Sequence, residues 1–160
     1  MTDPRSLHWT CAPLGELAVP RAYALLRLRA EVFVVEQTCA YLDLDGKDLL
    51  PGVWQLFAED ARGRVLACLR GLAPGLSFSE PALGRIATAP DQRGGGLGRE
   101  LVGRGITEMA RRHPGEPIRI GAQAYLIRFY ESFGFRVDSP PYDEDGIPHV
   151  EMLRPAPQDP

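Results

Sequence analysis

The glycine-rich segment around residue 95 carries the chemistry that this sequence displays most openly. It consists of Arg93, Gly94, Gly95, Gly96, Leu97 and Gly98. Glycine has no Cβ to keep an anion away from the backbone, and a helix that begins here leaves several N–H groups unpaired at the positive end of its dipole. Arg93 adds a positive charge and a fork of N–H donors. The segment therefore predicts a pyrophosphate site, while a plain strand-to-helix turn is the alternative interpretation of the glycines.

The spacing of these residues separates the segment from other phosphate-binding loops. No Lys-Ser or Lys-Thr pair follows the glycines, as a P-loop requires, and the GxGxxG pattern of dinucleotide-binding folds does not occur here. Arg93, Gly96 and Gly98 instead fit the pattern RxxGxG/A. That pattern resembles the coenzyme A pyrophosphate loop of the GNAT superfamily of N-acetyltransferases.

A second motif, between residues 118 and 135, has the pattern of a short strand followed by a helix. Apolar side chains recur there at helical spacing, and Gly134 stands where a helix commonly ends. The segment resembles the last-helix signature of the GNAT superfamily, with Gln123 where asparagine is usual. Matching segments run from residue 23 to 153 or so and further resemble the ElaA branch of that superfamily. Its four co-linear motifs are residues 28–41, 121–125, 129–135 and 144–149.

The elements that must position these motifs alternate between strands and helices. We expect helices over 21–33, 97–110 and 122–133, and strands over 53–59, 64–71, 83–88, 118–121, 135–138 and 147–153. This pattern indicates an α/β or α+β fold. The resemblance implies the GNAT fold, a mixed, strongly twisted central sheet flanked by helices. In that fold two adjacent parallel strands, here at 84–88 and 118–121, splay apart to admit the pantetheine arm.

The length, charge and cysteine content of the chain indicate its domain number, its kinds of binding partner and its cellular compartment. At 160 residues the chain has the size of one domain, expected over 1–160 with a frayed tail from 155 to 160. Its 18 basic and 21 acidic residues are intermixed and give a net charge of −3, so we expect no nucleic-acid partner and no membrane partner. The N-terminus has no signal-peptide core, which favours a cytoplasmic protein. Three widely spaced cysteines without a CxxC pattern indicate reduced thiols and no metal site.

The resemblance also implies roles for residues that would face the cofactor. Backbone N–H groups of one strand would bind the pantetheine and the thioester carbonyl, the 93–98 segment the pyrophosphate, and Gln123 would also contact the cofactor. The strand residues are Ile86, Ala87 and Thr88. Tyr130 would give a proton to the departing thiolate, which a phenol with a pKa of ~10 can do. A core-facing aromatic is the alternative role for Tyr130. Acetyl-CoA is the expected co-substrate, without a covalent enzyme intermediate.

The amine acceptor is expected between two acidic loops, one near residues 36–48 and the other near 142–149. Candidate substrate-binding residues are Glu36, Gln37, Tyr41, Asp145 and His149. With Asp43, Asp45 and Asp48 they would form an acidic lining that suits a cationic amine, while solvated loop carboxylates are the alternative. Glu36 and His149 are the candidate general bases. Trp54 stands where related proteins often have a histidine, so a catalytic role is not assigned to that position.

The sequence thus predicts an acetyl-CoA-dependent N-acetyltransferase that acts on a primary amine, either a small molecule or a peptide end. The alternative is a GNAT-fold protein that binds acyl-CoA as a sensor without turnover, because a fold does not guarantee its usual activity. A homodimer is left open by the sequence.

Overall fold

The fold is built on one open mixed sheet. A computed structural model describes residues 6–158 of the chain. Its strands are β1 (His8–Ala12), β2 (Val53–Glu59), β3 (Val65–Leu72), β4 (Ala82–Thr88), β5 (Ile118–Gln123), β6 (Arg136–Val137), β7 (Tyr142–Glu144) and β8 (Ile147–Arg154). They lie in the order β1-β2-β3-β4-β5-β8-β6, and β7 pairs with β8. Only the β4–β5 pair is parallel among these strands.

Helices cover both faces of this sheet. They are α1 (Val19–Arg29), which continues as a π-helical segment (Ala30–Glu36), α2 (Leu97–Arg112) and α3 (Ile127–Glu131). Pro20 stands in the first turn of α1, where its missing N–H costs nothing. The predicted first helix therefore exists, but its second half is π-helical rather than α-helical. Short 3-10 turns occur at Leu14–Glu16, Lys47–Leu49, Pro90–Gln92 and Ala124–Leu126.

The central strands β2 and β3 are buried along their whole length because each face packs against a different helix. Leu56 and Leu69 belong to a core that includes residues of α2 and α3. Phe57 and Cys68, one residue away in each strand, belong to a second core that includes residues of α1. Since neighbouring side chains of a strand point to opposite faces, this alternation places α1 and α2 on opposite sides of the sheet.

The two parallel strands separate almost as soon as they pair. Ala82 and Arg119 are the one residue pair that β4 and β5 share, and Arg119 N also donates to Pro81 O at 3.0 Å. Beyond residue 82, β4 has no strand partner on its β5 side. The predicted splay of these strands is confirmed.

Several elements differ from the prediction in extent. α3 covers only residues 127–131, because a 3-10 turn takes up the residues before it. The predicted 140–146 loop contains the short strand β7. Residues 155–158 of the predicted tail have no regular structure. Residues 1–5, which include most of the N-terminal stretch without a signal-peptide core, and residues 159–160 lie outside the described residues. Across the part that is described, no helix is both long and apolar enough to cross a membrane.

Candidate functional site

The glycine-rich segment requires glycine for its backbone conformation. Gly94 and Gly96 both have φ of +89°, which L side chains rarely adopt, and Gly96 caps the N-terminus of α2. A Cβ added at either residue would meet open space, so crowding is not the reason for glycine there. At Gly98 an added Cβ would lie 3.3 Å from Thr88 Oγ1, so the first turn of α2 runs close to the end of β4. The loop is exposed, and it presents the free N–H groups of the α2 N-terminus.

The end of β4 adjoins this loop and has one free edge. Ala87 and Thr88 pair with Cys68 and Ala67 of β3 on one side, while the β5 side carries no strand from residue 83 onward. Ile86, Ala87 and Thr88 therefore lie beside the gap between the splayed strands. An extended molecule that carries amide groups can hydrogen-bond along such an edge, as a neighbouring strand would.

Arg93, the first residue of the glycine-rich loop, contacts both the end of β4 and the π-helical segment. Its Nε donates to Thr88 O at 3.1 Å, and its two terminal nitrogens lie 2.9 and 2.7 Å from the carboxylate oxygens of Glu36. Both side chains of the ion pair remain partly exposed. Glu36, which the sequence assigned to the amine acceptor, thus contacts the candidate phosphate loop directly.

Tyr130 lies on α3 and is only 5% exposed. Its ring packs edge-to-face against Phe129, with centroids 5.1 Å apart, and against Phe135 at 6.0 Å. Burial, with a smaller contribution from Tyr125, raises the pKa of Tyr130 above its ordinary value, so the phenol stays protonated at neutral pH. The hydroxyl has no hydrogen-bond partner among residues 6–158. Tyr130 is therefore a core aromatic and also a neutral O–H group that is free to donate.

Gln123 and His149 face each other in the register of β5 and β8. His149 is 8% exposed, its Nδ1 lies 2.7 Å from Ile147 O, and its Nε2 lies 3.3 Å from Glu144 Oε2. The imidazole also stacks on Tyr142, with centroids 5.8 Å apart. Both ring nitrogens therefore already face an oxygen of the β7–β8 hairpin.

The two loops expected to enclose the acceptor do meet. Cys39 Sγ lies 3.4 Å from Gln37 O in its own loop and 3.4 Å from Asp145 O in the β7–β8 turn. Asp145 has φ of +52° and its side chain is exposed. Gln37 is half-buried beside this contact. The structure thus brings Gln37 and Asp145 close together, next to Glu36.

The acidic lining expected for the 43–48 segment needs correction, because arginines neutralise its carboxylates. Asp43 and Asp48 both pair with the fully buried Arg29, at 2.9 and 2.6 Å. Asp45 pairs with Arg70 at 2.9 Å, and Arg85 pairs with Asp43 at 2.7 Å and with Asp45 at 3.3 Å. Although burial alone would raise the pKa of Asp45, hydrogen bonds from Arg70 hold it well below its usual range. This Arg–Asp cluster, three arginines and three aspartates, carries no surplus charge.

Tyr41 belongs to the same cluster. Its hydroxyl donates to Asp43 Oδ1 at 2.9 Å, and the Arg85 guanidinium lies 5.5 Å from the centre of its ring. Burial raises the pKa of Tyr41. The phenol is thus committed to a contact within the protein, and only part of its ring is left to meet a substrate.

Trp54, which stands where related proteins often have a histidine, is a core residue. It is 1% exposed, and a Cβ added to Gly71 would come within 2.0 Å of its indole ring. Arg112 of α2 lies 5.1 Å from the ring centre. The close approach of Gly71 therefore makes room for tryptophan in this core.

No local sequence signal marks the three arginines of the Arg–Asp cluster, since they lie on α1, β3 and β4. Only their positions inside apolar stretches could have suggested buried partners. Within the described range, 6–158, no group of three or more His, Cys, Asp or Glu side chains could hold a metal ion.

Comparison with known proteins agrees with this geometry. A family described as "Acetyltransferase (GNAT) domain" matches residues 69–154. The chain is 36% identical to protein ElaA of Escherichia coli (strain K12) over 148 residues, which cover 92% of this chain and 96% of ElaA. The crystal structure of E. coli ElaA superposes with a TM-score of 0.87 and covers 92% of this chain and 99% of that one.

Two further solved structures bear on the site. An acyl-CoA N-acyltransferase from Pseudomonas aeruginosa is 40% identical, with a TM-score of 0.88, 93% coverage of this chain and 99% of that chain. BjaI, a CoA-dependent acyl-homoserine lactone synthase solved with SAM and isopentyl-CoA, is 16% identical, with a TM-score of 0.73, and covers 96% of this chain and 84% of its own. BjaI shares the fold of this chain, and its structure contains isopentyl-CoA.

Proposed function

Because the chain belongs to the GNAT family of acyltransferases, we propose that it transfers an acetyl group from acetyl-CoA directly to a primary amine. The observation that carries the proposal is the continuity of two features. The unpaired edge of β4 over residues 83–88 leads directly into the glycine-rich loop at the N-terminus of α2. A long molecule with amides at one end and a pyrophosphate at the other matches both.

The residues present fit acetyl-CoA on physical grounds. The free N–H groups of the α2 N-terminus and the left-handed glycines at 94 and 96 can approach two phosphates closely, since no Cβ intervenes. The free edge of β4 can pair with the amides of pantetheine. A backbone N–H of residues 86–88 is then the donor for the thioester carbonyl, where negative charge develops in the transition state.

Tyr130 is the proton donor in this proposal. Acetyl transfer forms the amide C–N bond and breaks the thioester C–S bond, so the thiolate of CoA leaves and takes up a proton. The buried phenol stays protonated, and its hydroxyl has no hydrogen-bond partner among residues 6–158. A neutral amine attacks, and the proton that it loses passes to a base or to water.

The acceptor is proposed to enter where Gln37 and Asp145 meet. Asp143, Glu144 and Asp145 are exposed carboxylates of the β7–β8 hairpin that lie outside the Arg–Asp cluster, and Glu144 or Asp145 could attract a cationic amine at the entrance. Glu36, Tyr41 and His149 are engaged by Arg93, Asp43 and Glu144, so in this proposal they shape the entrance. The acceptor is a small molecule or a peptide end, and the free cysteines fit a reducing compartment such as the cytoplasm.

The test is release of CoA from acetyl-CoA in the presence of a panel of amines, with product identified by mass spectrometry. Turnover with at least one primary amine is the expected result. A parallel panel of acyl-CoA donors of increasing chain length examines the preference for acetyl. If acetyl-CoA binds but no amine is acylated, the protein is a sensor of acyl-CoA instead.

A further inference from the structure

Arg85 combines an unusual backbone with an unusual set of side-chain partners. It lies within β4 and has φ of +49°, a left-handed conformation that a large L residue adopts only at a cost. The other non-glycine residues with positive φ in the described part of the chain, Thr38 and Asp145, lie in loops. A strained residue inside a strand needs contacts that keep it there.

The strain coincides with a β-bulge. Gly84 pairs with Arg70 of β3 and Ala87 pairs with Cys68, so two residues of β4, Arg85 and Ile86, stand opposite Leu69 alone. A bulge bends its strand and leaves its extra residue out of the regular ladder. The bulge residues Arg85 and Ile86 lie beside the gap between the splayed strands, and Ala87 pairs again with Cys68 of β3.

The side chain of Arg85 is held by the loop that follows the first helix. Its Nε lies 2.7 Å from Asp43 Oδ1, and its Nη2 lies 3.2 Å from Asp43 O and 3.3 Å from Asp45 Oδ2. Tyr41 covers the guanidinium from one side. The aspartates are fixed in turn, since Arg29 and Arg70 bind them at 2.9 Å each. The anchor for Arg85 is therefore a set of mutually paired side chains, of which Asp43, Arg29 and Arg70 are buried.

We propose that Arg85 is a positioning residue, whose ion pairs with Asp43 and Asp45 hold the β4 bulge so that backbone N–H groups point at the thioester carbonyl. The inference rests on the proposed function, because it presumes that the thioester lies at this edge. It also means that the acceptor-side loop sets the geometry of the donor site.

Substitutions of Arg85 can distinguish two roles: holding the backbone of the β4 bulge, or binding the acceptor with its side chain. Glycine adopts φ of +49° without strain, whereas alanine carries the strain without the ion pairs. We expect Arg85→Ala to lower kcat by roughly 100-fold, the loss typical of a misplaced oxyanion donor. Arg85→Gly should keep more activity than Arg85→Ala, and KM for the amine should change little in both. If both variants lose the same activity, and the loss is a rise in KM for the amine, Arg85 binds the acceptor and the proposal is overturned.

The decisive measurement is the infrared absorption of the thioester carbonyl in bound acetyl-CoA, isotope-edited with a ¹³C=O label. Hydrogen bonds to the carbonyl lower its stretching frequency in the wild type, and we expect Arg85→Ala to lose that shift while calorimetry shows retained acetyl-CoA binding. The surface variant Arg111→Ala, which breaks only the exposed pair with Glu108, is the control and should keep the shift. If Arg85→Ala does not fold, Asp45→Asn, which weakens the anchor but keeps Arg85, replaces it.

The outcomes distinguish this inference from the proposed function. A wild-type shift that persists in Arg85→Ala and in Asp45→Asn overturns the role of Arg85 and leaves the enzyme proposal intact. Failure of the wild type to bind acetyl-CoA overturns the proposed function, and the positioning role with it. Loss of thermal stability alone, with the shift and kcat retained, would assign Arg85 to folding only.

Discussion

Arg93 and Glu36 form a two-pronged ion pair that joins the glycine-rich loop to the π-helical end of the first helix. The N–O distances are 2.9 and 2.7 Å, and Glu36 is the last residue of the π-helical segment. The loop that follows runs to Cys39, which contacts the β7–β8 turn. In the proposed function, a phosphate that reaches Arg93 would compete with Glu36 for the same N–H donors, so cofactor binding and the proposed acceptor loop would share one contact.

This competition predicts opposite effects of the two side chains on cofactor affinity. Arg93→Ala should weaken acetyl-CoA binding by roughly tenfold, the size of one charge-assisted hydrogen bond. Glu36→Gln should strengthen it by about threefold at low salt, since a neutral amide competes less well for the guanidinium. Titration calorimetry on both variants and on the double variant forms the thermodynamic cycle. If Glu36→Gln has the same effect with and without Arg93, the two residues do not compete.

The left-handed conformation of Gly96 makes this residue the sharpest test of the proposed phosphate loop. Gly96→Val places a β-branched side chain at φ of +89°, so the loop must change shape even though the Cβ has room. We expect no measurable acetyl-CoA binding by calorimetry and no rise in melting temperature when the ligand is added. Gly103→Ala is the matched control, because Gly103 lies in α2 with open space around it. That variant should bind normally and unfold at a slightly higher temperature, since alanine favours a helix interior.

The sequence predicts these loops well and the contacts between them poorly, for a physical reason. Glycines at a strand-to-helix corner and the stop at Gly134 are local signals, as is the alternation of apolar residues in the strands. The π-helical segment after Arg29 follows no periodicity that a helix pattern reveals. The partners of Asp43 and Asp48 lie on other elements far along the chain, so isolated carboxylates gave no sign that arginines neutralise them.

Tyr130→Phe removes the proposed proton donor and keeps the ring that packs in the core. We expect kcat to fall by roughly 100-fold, as for loss of one general acid, with unchanged acetyl-CoA affinity and melting temperature. Because burial raises the pKa of the phenol, wild-type activity should not decline between pH 8 and ~10 through ionisation of Tyr130. Steady-state kinetics across that range checks both points. Full turnover in the phenylalanine variant would leave Tyr130 a core residue only.

The Arg–Asp cluster should dominate the acid sensitivity of the fold. Arg29→Met leaves Asp43 and Asp48 without their buried partner, which we expect to cost about 3–5 kcal/mol in the free energy of unfolding. Although burial alone raises it, hydrogen bonds from Arg29 keep the pKa of Asp48 below its ordinary value in the folded state. The stabilisation from Asp48 is therefore present above the unfolded pKa of ~3.9 and is lost as the pH falls through the lower folded value.

Urea titrations between pH 7 and 3 test the role of this cluster. Wild type should lose stability steeply below pH ~4, and Arg29→Met should lose less over the same range, because Asp48 no longer has the hydrogen bonds from Arg29 that lower its pKa. Arg104→Met, which removes an exposed i,i+4 pair with Glu100, should change stability by under about 1 kcal/mol at any pH. Parallel acid profiles for wild type and Arg29→Met would refute the assignment.

The exposed carboxylate of Asp145 bears on the charge of the amine acceptor. With Asp43, Asp45 and Asp48 neutralised, Asp145 is an exposed carboxylate at the contact between the two loops. Asp145→Asn should therefore raise KM for a cationic amine by about threefold, and salt should shrink the difference, as screening does at exposed sites. Glu116→Gln, beyond the end of α2, is the control and should leave KM unchanged. A KM that does not respond to Asp145→Asn or to salt would favour a neutral acceptor.

The pH profile adds an independent constraint on the same acceptor. Deprotonating a lysine-like amine at neutral pH costs about 4 kcal/mol, so its rate should climb steadily toward pH ~9, whereas an α-amino group should level off near pH ~8. His149 Nε2 lies 3.3 Å from Glu144 Oε2 and Nδ1 lies 2.7 Å from Ile147 O, so in the proposed function this histidine holds the β7–β8 hairpin and does not take the proton of the amine. We expect wild type and His149→Gln to give profiles of the same shape. An inflection near ~6.5, the ordinary pKa of an imidazole, that disappears in His149→Gln would instead make this histidine the general base.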